Sequence, residues 1–548
     1  MASSLSVNEK QRYSCALLLS LLYALGYSAL TLAIGNSTIP TNNGVYKSGL
    51  IGQRAGLLPG QGMEDFLDPA NFLYFPLMSH LVNWITIVPE ITLRLALINS
   101  IFGAIAVGFT SLLLIELRFS LRTALLGSIL AGGLGVPLVL AISSEDITPT
   151  YCFAVAATWL LSKSFNATRG SLILLILATV LLSISWLFHW SVITYSVPAF
   201  TLALILSPGS LRSRLLRLFL FLGTTLGTAC FAALCYGESL SYVLFVSKGQ
   251  GSGWLGWHWD KLYQLYIGIR DYFIFTHGAD GVAYTSSTSL ERGAAVALAL
   301  LAFGGFGLGL RQCQRSAQPL AGWYALAGYF FFGQLVNLYV QPKEPQFQIG
   351  PMLLSSVGLA VIIERVKILP LLMLFALAPG VVNIVRFMMP HAAESDRTRF
   401  AAVRAWERHF APESTAYIMH WGNGSLDAWA FAHAWLGRNF SRITPCQMLV
   451  KSPNLSAEEL TEIFLNYVER ERRQGRIVLS AMLPQVHRPK RSYCCCGIDP
   501  ENQIAQALLS LQKRYYWKVI PPFKGVGEYY QLLAPRVESP DTGTVPQR

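Results

Sequence analysis

LRLALINSIFGAIAVGFTSLLLI, residues 93–115, carries one charged side chain, Arg94, and runs directly into Glu116-Leu117-Arg118-Phe119-Ser120-Leu121-Arg122. A bilayer core of roughly 30 Å takes about 20 apolar residues of helix. The stretch is long enough to cross one, and the arginines that follow it mark the edge. Working outward in both directions, apolar stretches with charged punctuation recur at about 13–34, 123–142, 150–162, 171–188, 191–207, 216–236, 293–310, 320–340, 349–364 and 368–388. That predicts about eleven transmembrane helices, two of them, 150–162 and 349–364, short for a full crossing. The composition agrees, with 53% hydrophobic and only 13% charged residues, against about 25% charged in a soluble protein. Mean hydropathy is +0.43.

Lys and Arg in short loops resist translocation. If the N-terminus is cytoplasmic, Lys10 and Arg12, Arg118 and Arg122, Lys163 and Arg169, Arg212, Arg214 and Arg217, Arg311 and Arg315, and Arg365 and Lys367 all fall inside. The opposite turns, Ser143 to Pro149 and His189 to Trp190, hold neither residue. Exported loops at 35–92 and 237–292, and a turn at 341–347, follow from this topology. So does export of everything after residue 390. The run from Ser14 to Ile34 follows Lys10 and Arg12 and has no small-residue cleavage site, so it reads as a retained first span.

The net charge of +12 sits in short turns between apolar runs, which argues against a nucleic-acid partner. The nine cysteines are Cys15, Cys152, Cys230, Cys235, Cys313, Cys446 and the triplet Cys494, Cys495 and Cys496; none is spaced as a CxxC metal pair. From about His391 the charge becomes mixed. Helices at 396–410 and 456–474 and strands at Ala416 to Met419 and Ile477 to Leu479 predict a small exported α/β domain over 391–535, with a disordered tail at 536–548. The expected fold is thus an all-α polytopic membrane domain, residues 1–390, followed by that domain. No internal repeat stands out.

Carboxylates are nearly absent from the spans and gather in two outer segments: Glu64, Asp65 and Asp68 in the first loop, and Glu145 and Asp146 in the second. Such groups at a membrane surface serve as a general base toward an acceptor hydroxyl, or as ligands for a divalent cation that neutralises a phosphate leaving group. They also serve as solvated charges or at helix starts. In the fourth outer segment, Lys343 is placed to meet a phosphate as a point charge, or to pair with Glu344. Trp254, Trp257 and Trp259 precede an aromatic-rich stretch over Asp260 to Phe275, read as an interfacial helix. The Trp faces are candidates for lipid or sugar contacts. His80, His189 and His258 are read as satisfied interfacial histidines, and the sequons at Asn36, Asn423, Asn439 and Asn454 all fall outside.

This plan resembles the GT-C superfamily of integral membrane glycosyltransferases, which use polyprenyl-phosphate-linked sugars on the exported face of a membrane. Locally, Asp68-Pro69-Ala70-Asn71-Phe72-Leu73-Tyr74-Phe75-Pro76 looks like the Asp-containing, Leu-Tyr-x-Pro segment in the first loop of some members. Lys343-Glu344-Pro345-Gln346-Phe347 is similar to the His-Lys-Glu-x-Arg-Phe motif of the mannosyltransferase branch, with Pro342 where His would stand and Gln346 where Arg would. The resemblance implies inverting transfer of a sugar from a polyprenyl-phosphate carrier to a glycan, lipid or protein acceptor in a cell-envelope membrane, weighted toward the bacterial plasma membrane. It implies Asp65 or Asp68 as base, with Glu64 next, Glu145 or Asp146 assisting through metal or acceptor contacts, and Lys343 at the donor phosphate. It leaves a divalent cation, Mg or Mn, as an open cofactor. Two other classes fit a polytopic chain. A transporter or flippase of lipid-linked sugars or other solutes buries ionisable groups near the midplane or pairs interrupted helices. A non-enzymatic assembly protein leaves its acidic clusters without a shared cleft.

Overall fold

The computed structural model describes residues 9–34, 48, 51–52, 54–57, 72–167, 170–189, 191–236, 259–275, 287–316, 320–339, 345–390, 408–418, 441–443, 445, 448–449, 455–480, 502–521 and 529–535. The chain divides into two compact units, Met1–Lys248 with Leu255–Asp396, and Gly249–Trp254 with Arg397–Arg548.

Each apolar stretch read from the sequence is helical over most of its described length in the first unit, the one at 123–142 in two pieces. The helices are α1 (Glu9–Ile34), α2 (Tyr74–Leu81), α3 (Ile91–Glu116), α4 (Leu121–Gly133), α5 (Gly135–Ala141), α6 (Ile147–Asn166), α7 (Ser171–Phe188), α8 (Ser191–Leu206), α9 (Leu211–Tyr236), α10 (Asp260–Phe273), α11 (Ser289–Arg315), α12 (Ala321–Tyr339), α13 (Pro345–Gln348), α14 (Leu354–Arg365) and α15 (Leu369–Val382). The last continues as a π-helical segment, Asn383–Met388. Among the described residues, six helices are long and apolar enough to cross a membrane by length and composition: α1, α3, α7, α9, α11 and α15 with its continuation. The bent α4–α5 pair would make a seventh. The other expected spans, α6, α8, α12 and α14, are helical at their places. The protein is an integral membrane protein.

Burial separates central helices from those that face lipid. In the most apolar window of α3, 78% of residues are buried inside the protein, against 22% for α1. Accordingly α3 packs against α1, α4, α5 and α6, while α1 turns Leu17, Leu18, Leu21, Leu22 and Leu25 outward. With no hydrophobic gain from leaving lipid, close packing through small residues must hold such helices together. At the α11–α14 crossing a Cβ on Gly358 would lie 1.8 Å from the Ala302 carbonyl oxygen. Only glycine allows that approach.

The expected continuous span at 123–142 is broken. Leu134 is extended, and α4 and α5 meet at 69°. The physical reason lies in what crosses there. A Cβ on Gly135 would meet the Asp271 carbonyl oxygen at 2.6 Å and the Phe275 nitrogen at 2.8 Å. The buried amide of Asn383 completes the junction. It donates to the carbonyls of Gly133 (3.0 Å) and Phe273 (3.1 Å) and accepts from the Phe275 N–H (2.8 Å).

Two ends of the unit can be told apart by their contacts. At one, Lys163 bonds Glu9 (2.9 Å) and Tyr13, Ser120 donates to Glu364 (2.8 Å), and the Arg217 guanidinium lies 4.3 Å from the Phe165 ring. These are the segments that the Lys and Arg distribution groups together. At the other end, Tyr74 meets Ser144, Lys261 meets Tyr339 and Arg386 pairs with Glu291 (2.7 Å).

The second unit holds a five-stranded sheet of β1 (Thr415–Ile418), β2 (Ser441–Ile443), β3 (Ile477–Ser480), β4 (Tyr515–Ile520) and β5 (Tyr529–Pro535), in the order β2-β1-β3-β5-β4. Strands β2, β1 and β3 are parallel, and β5 and β4 join antiparallel. Helices α16 (Ala457–Arg473) and α17 (Gln503–Arg514) bury Leu460, Phe464, Val468, Ile504, Leu508 and Leu511 in a core with Ala416, Ile418 and Val478 of the sheet. The expected strands sit at their places, the first shifted by one residue and the second one residue longer. The helix expected at 396–410 and the tail at 536–548 fall largely or wholly outside the described residues.

Candidate active site at one end of the membrane unit

The second acidic cluster occupies the turn between α5 and α6, and its residue types explain its shape. The Ser143 hydroxyl donates to the Leu140 carbonyl (3.1 Å) and accepts from the Glu145 N–H (3.4 Å), closing α5. Thr148 donates to the same carbonyl (2.8 Å). Pro149 then stands in the first turn of α6, where its missing N–H costs nothing. Neighbouring elements fix the turn from outside. From α3, the Asn99 amide donates to the carbonyls of Ser143 (2.7 Å) and Glu145 (2.5 Å). From α2, the Tyr74 hydroxyl donates to the Ser144 carbonyl (3.2 Å).

Glu145 is 1% exposed and Asp146 0%. Neither is a solvated loop charge. Asp146 stands at the N-cap of α6, but its side chain makes no capping bond. Burial, reinforced by the nearby Asp146 and Glu145 carboxylates, holds the Tyr74 phenol well above its ordinary value. It remains a neutral donor beside the turn.

The elements that flank the other sequence-read segments arrive at the same place. Helix α2 follows Glu64, Asp65 and Asp68. Its entry is tied by the Leu73 N–H to the Leu187 carbonyl (2.9 Å) at the end of α7. Helix α13, which begins two residues after Lys343, packs against α5, α10 and α12. It is held by Asn337 donating to the Phe347 carbonyl (2.9 Å) and by Gln334 donating to Gln348 (2.8 Å). The ring of Phe347 meets His189 edge-on at 6.3 Å, and His189 Nδ1 shares a 2.7 Å hydrogen bond with Ser191. Helix α10, which Trp259 precedes, packs against α5, α11, α12 and α13.

In fold the chain is similar to ArnT from Cupriavidus metallidurans bound to undecaprenyl phosphate, with a TM-score of 0.54 at 10% identity, over 94% of this chain and 97% of that one. The chain has a GT-C fold. Lesser likenesses are to the same ArnT in its apo state (TM-score 0.49, 13% identity, 94% and 97% covered) and to the Archaeoglobus fulgidus oligosaccharyltransferase in its apo form (0.48, 13%, 93% and 74%). No protein-family model and no curated protein matches the sequence.

Within the GT-C fold, the residues read from the sequence divide into two groups. Glu145 and Asp146 lie buried in the turn, and Trp259 stands 88% exposed ahead of α10. Glu64, Asp65, Asp68, Lys343, Trp254 and Trp257 lie outside the described residues. Carboxylate oxygens are the donors a hard divalent cation takes. Among the described residues, no group of three or more His, Cys, Asp or Glu side chains stands together as a metal site. The sequence reading missed Asn99 and the part played by Tyr74, because both act across 44 residues or more. It also missed the Arg270–Asp271 ion pair of α10, 2.9 Å long with both side chains buried. Its signal was an adjacent opposite-charge pair inside an aromatic stretch.

Proposed function

We propose that the protein is a membrane glycosyltransferase that moves a sugar from a polyprenyl-phosphate carrier to a hydroxyl or amide acceptor at the non-cytoplasmic surface. The observation that carries this reading is the convergence at one end of a GT-C fold, where Tyr74 of α2 bonds the Glu145–Asp146 turn and α13 packs on α5, the helix that leads into it. A four-residue tether spans at most about 14 Å, so the link from Asp68 to Phe72 can deliver a first-loop carboxylate to the turn. The two-residue link from Lys343 to α13 can deliver an ammonium to the same region.

In this reading Asp65 or Asp68, with Glu64 as the alternative, takes the proton from the acceptor as it attacks the sugar C1 from the face opposite the phosphate. The C1–O bond to the carrier phosphate then breaks, its electron pair leaves with the phosphate, and the configuration inverts. Lys343 neutralises that leaving charge as a point cation. Glu145 and Asp146 orient the acceptor, or hold a divalent cation such as Mg or Mn that shares the phosphate charge. The Asn99 side-chain oxygen, buried and without a partner among the described residues, supplies a further acceptor for a substrate hydroxyl. Trp254 and Trp257 offer faces to the sugar or the lipid. ArnT, whose fold the chain shares, binds undecaprenyl phosphate, a carrier of the class proposed.

The test follows labelled sugar from a panel of polyprenyl-phosphate donors into lipid, glycan and protein in membranes that hold equal amounts of wild type, Asp65→Asn, Asp68→Asn or Glu145→Gln. Loss of a positioned base lowers the rate by about 100-fold or more, so transfer should collapse in at least one first-loop variant. Undiminished transfer in all three would remove the assigned site. Absence of transfer by wild type across the panel would remove the enzyme.

A further inference from the structure

Helix α9 opens on three arginines, Arg212, Arg214 and Arg217, with no acidic residue in its first turn. The N-terminus is the positive end of the helix dipole, so cations in the first turn are unfavourable there. Among the described residues no carboxylate pairs with any of the three, whereas Lys163 at the same end of the unit pairs with Glu9. Arg214 donates one N–H to the Ile205 carbonyl (3.2 Å), while its Nε is buried without a partner. Arg217 lies over the Phe165 ring at 4.3 Å, a contact that supplies no oxygen acceptor to the five N–H donors of a guanidinium.

The helix surface that runs on from Arg212 is apolar and then bare. Helical spacing puts Leu216, Phe219 and Gly223 on the side of α9 that carries Arg212. Phe219 is 74% exposed, and Leu222 and Leu226 beside it also face outward. A Cβ on Gly223, or on Gly227 one turn further, would meet nothing within 4 Å. Glycine is a poor residue for a helix interior, and here, unlike at Gly358, no close approach within the chain requires it. Gly223 lies about 16 Å of helix rise past Arg212, about half of a bilayer core of roughly 30 Å. That side of α9 thus offers a cation at the headgroup level, an aromatic ring below it and a shallow trough at the depth where an acyl chain ends. Two occupants fit such a trough, an acyl chain and the glycine face of a second copy, and charge decides between them. A second copy related by a two-fold axis along the membrane normal brings Arg212 against Arg212, and like charges so placed are costly. An anionic lipid answers the arginines instead.

We propose that the start of α9 holds an anionic phospholipid, its phosphate on Arg212 and Arg214 and one acyl chain laid along Leu216, Phe219 and Gly223, with Arg217 adding to the local positive field. Side chains of a helix lean toward its N-terminus, which carries the guanidinium groups from both sides of α9 past its first turn to the headgroup level, as long cationic side chains do when they snorkel. A zwitterionic headgroup brings its own ammonium and gains less from three arginines, so net negative charge is the feature selected. Through Arg214, which already bonds Ile205, the lipid also ties α9 to the end of α8. This inference depends neither on the transfer reaction nor on which leaflet the basic end faces.

The test uses the purified full chain in detergent and native mass spectrometry, with dioleoylphosphatidylglycerol and dioleoylphosphatidylcholine added at equal concentration. Wild type should hold one phosphatidylglycerol with an affinity about tenfold or more above that for phosphatidylcholine, since each arginine near an anionic headgroup contributes severalfold. Arg212→Gln with Arg214→Gln should reduce the preference to about twofold or less, whereas Arg311→Gln with Arg315→Gln, at another basic turn, should keep it within about twofold of wild type. Gly223→Leu should weaken the bound phosphatidylglycerol and keep the preference. Equal affinities for the two lipids in wild type, a comparison that needs no variant, would overturn the proposal. So would equal loss from the two arginine pairs, the mark of diffuse charge. Displacement of the lipid by glycerol phosphate at equal concentration would overturn it as well, since the site would then take a free phosphate. A wild-type dimer that Gly223→Leu converts to monomer would overturn it in favour of a second copy.

Discussion

At the residue scale, the second unit shows how one buried carboxylate organises its surroundings. Glu471 is buried at the end of α16, where Arg476 reaches one oxygen at 2.5 Å and Arg470 the other at 2.8 Å. Burial works to raise its carboxyl, but Arg476, Arg470 and Ser441 outweigh it and hold the group below its ordinary value of 4.5. A depressed folded value means that the contribution is present at neutral pH. It fades as pH falls below about 4.5 through the folded value. Glu471→Gln leaves both guanidinium groups facing a neutral amide, and because Arg470 is 61% and Arg476 32% exposed, water screens part of the loss, which should be about 1–2 kcal/mol. Hydrogen exchange of the α16 and β3 peptides in the full chain, corrected for the intrinsic rate, should show that loss at pH 7. The gap between wild type and variant should narrow toward pH 4, and a gap that stays constant would remove the ion-pair account. In the membrane unit the same scale shows what a sequence hides. The types at 143–146 announce carboxylates in a turn, but the burial of Glu145 and Asp146 is set by Asn99 and Tyr74, whose partners no local pattern reveals.

At the scale of elements, the α11–α14 crossing rests on Gly358, where the Ala302 carbonyl occupies the place of any side chain. Gly358→Leu must push the helices apart along their packed seam. Overpacking in a close-fitted interior costs about 1–3 kcal/mol, and more where the obstacle is backbone that cannot rotate away. The variant should lower the thermal inactivation midpoint of the purified protein by several degrees. Gly307→Leu, on the same helix pair with nothing within 4 Å of its Cβ position, should not. Equal effects from the two would show that the crossing is not tight. Spans of this kind were legible because apolar length is a property of the chain alone, and each predicted stretch is helical. The break at Leu134 was not legible as a bend, although Gly132-Gly133-Leu134-Gly135 carries the signal. What bends it is the approach of residues 271–275, far along the sequence. Helix α2 escaped notice inside the first loop because eight residues give too few turns for a period to show. The short strands β2, β4 and β5 lack distinctive alternation, so the sheet was read only in part.

For the whole molecule, the contacts sort the helix ends into two groups, and the sequence sorts its Lys and Arg the same way. Glu9 with Lys163, Ser120 with Glu364, and Arg217 over Phe165 all join segments from the Arg- and Lys-rich side. The carboxylate turn, the start of α2 and both ends of α10 belong to the opposite side. Because the positive-inside bias acts on short loops, we propose that the basic end faces the cytoplasm. The second unit follows the last span, which starts at Leu369, just past Arg365 and Lys367. It should therefore lie on the same side as the proposed site. Membrane vesicles of defined sidedness decide this directly. Trypsin added to right-side-out vesicles should digest the unit carrying α16, with cleavage at Arg470, Arg472 and Arg473 of that helix and at Arg476 after it, while inside-out vesicles protect it until detergent is added. The reverse pattern would place the carboxylate turn and α10 in the cytoplasmic leaflet. A carrier-linked sugar would then have to be offered from the cytoplasm, and the proposed reaction would change sides with its chemistry intact.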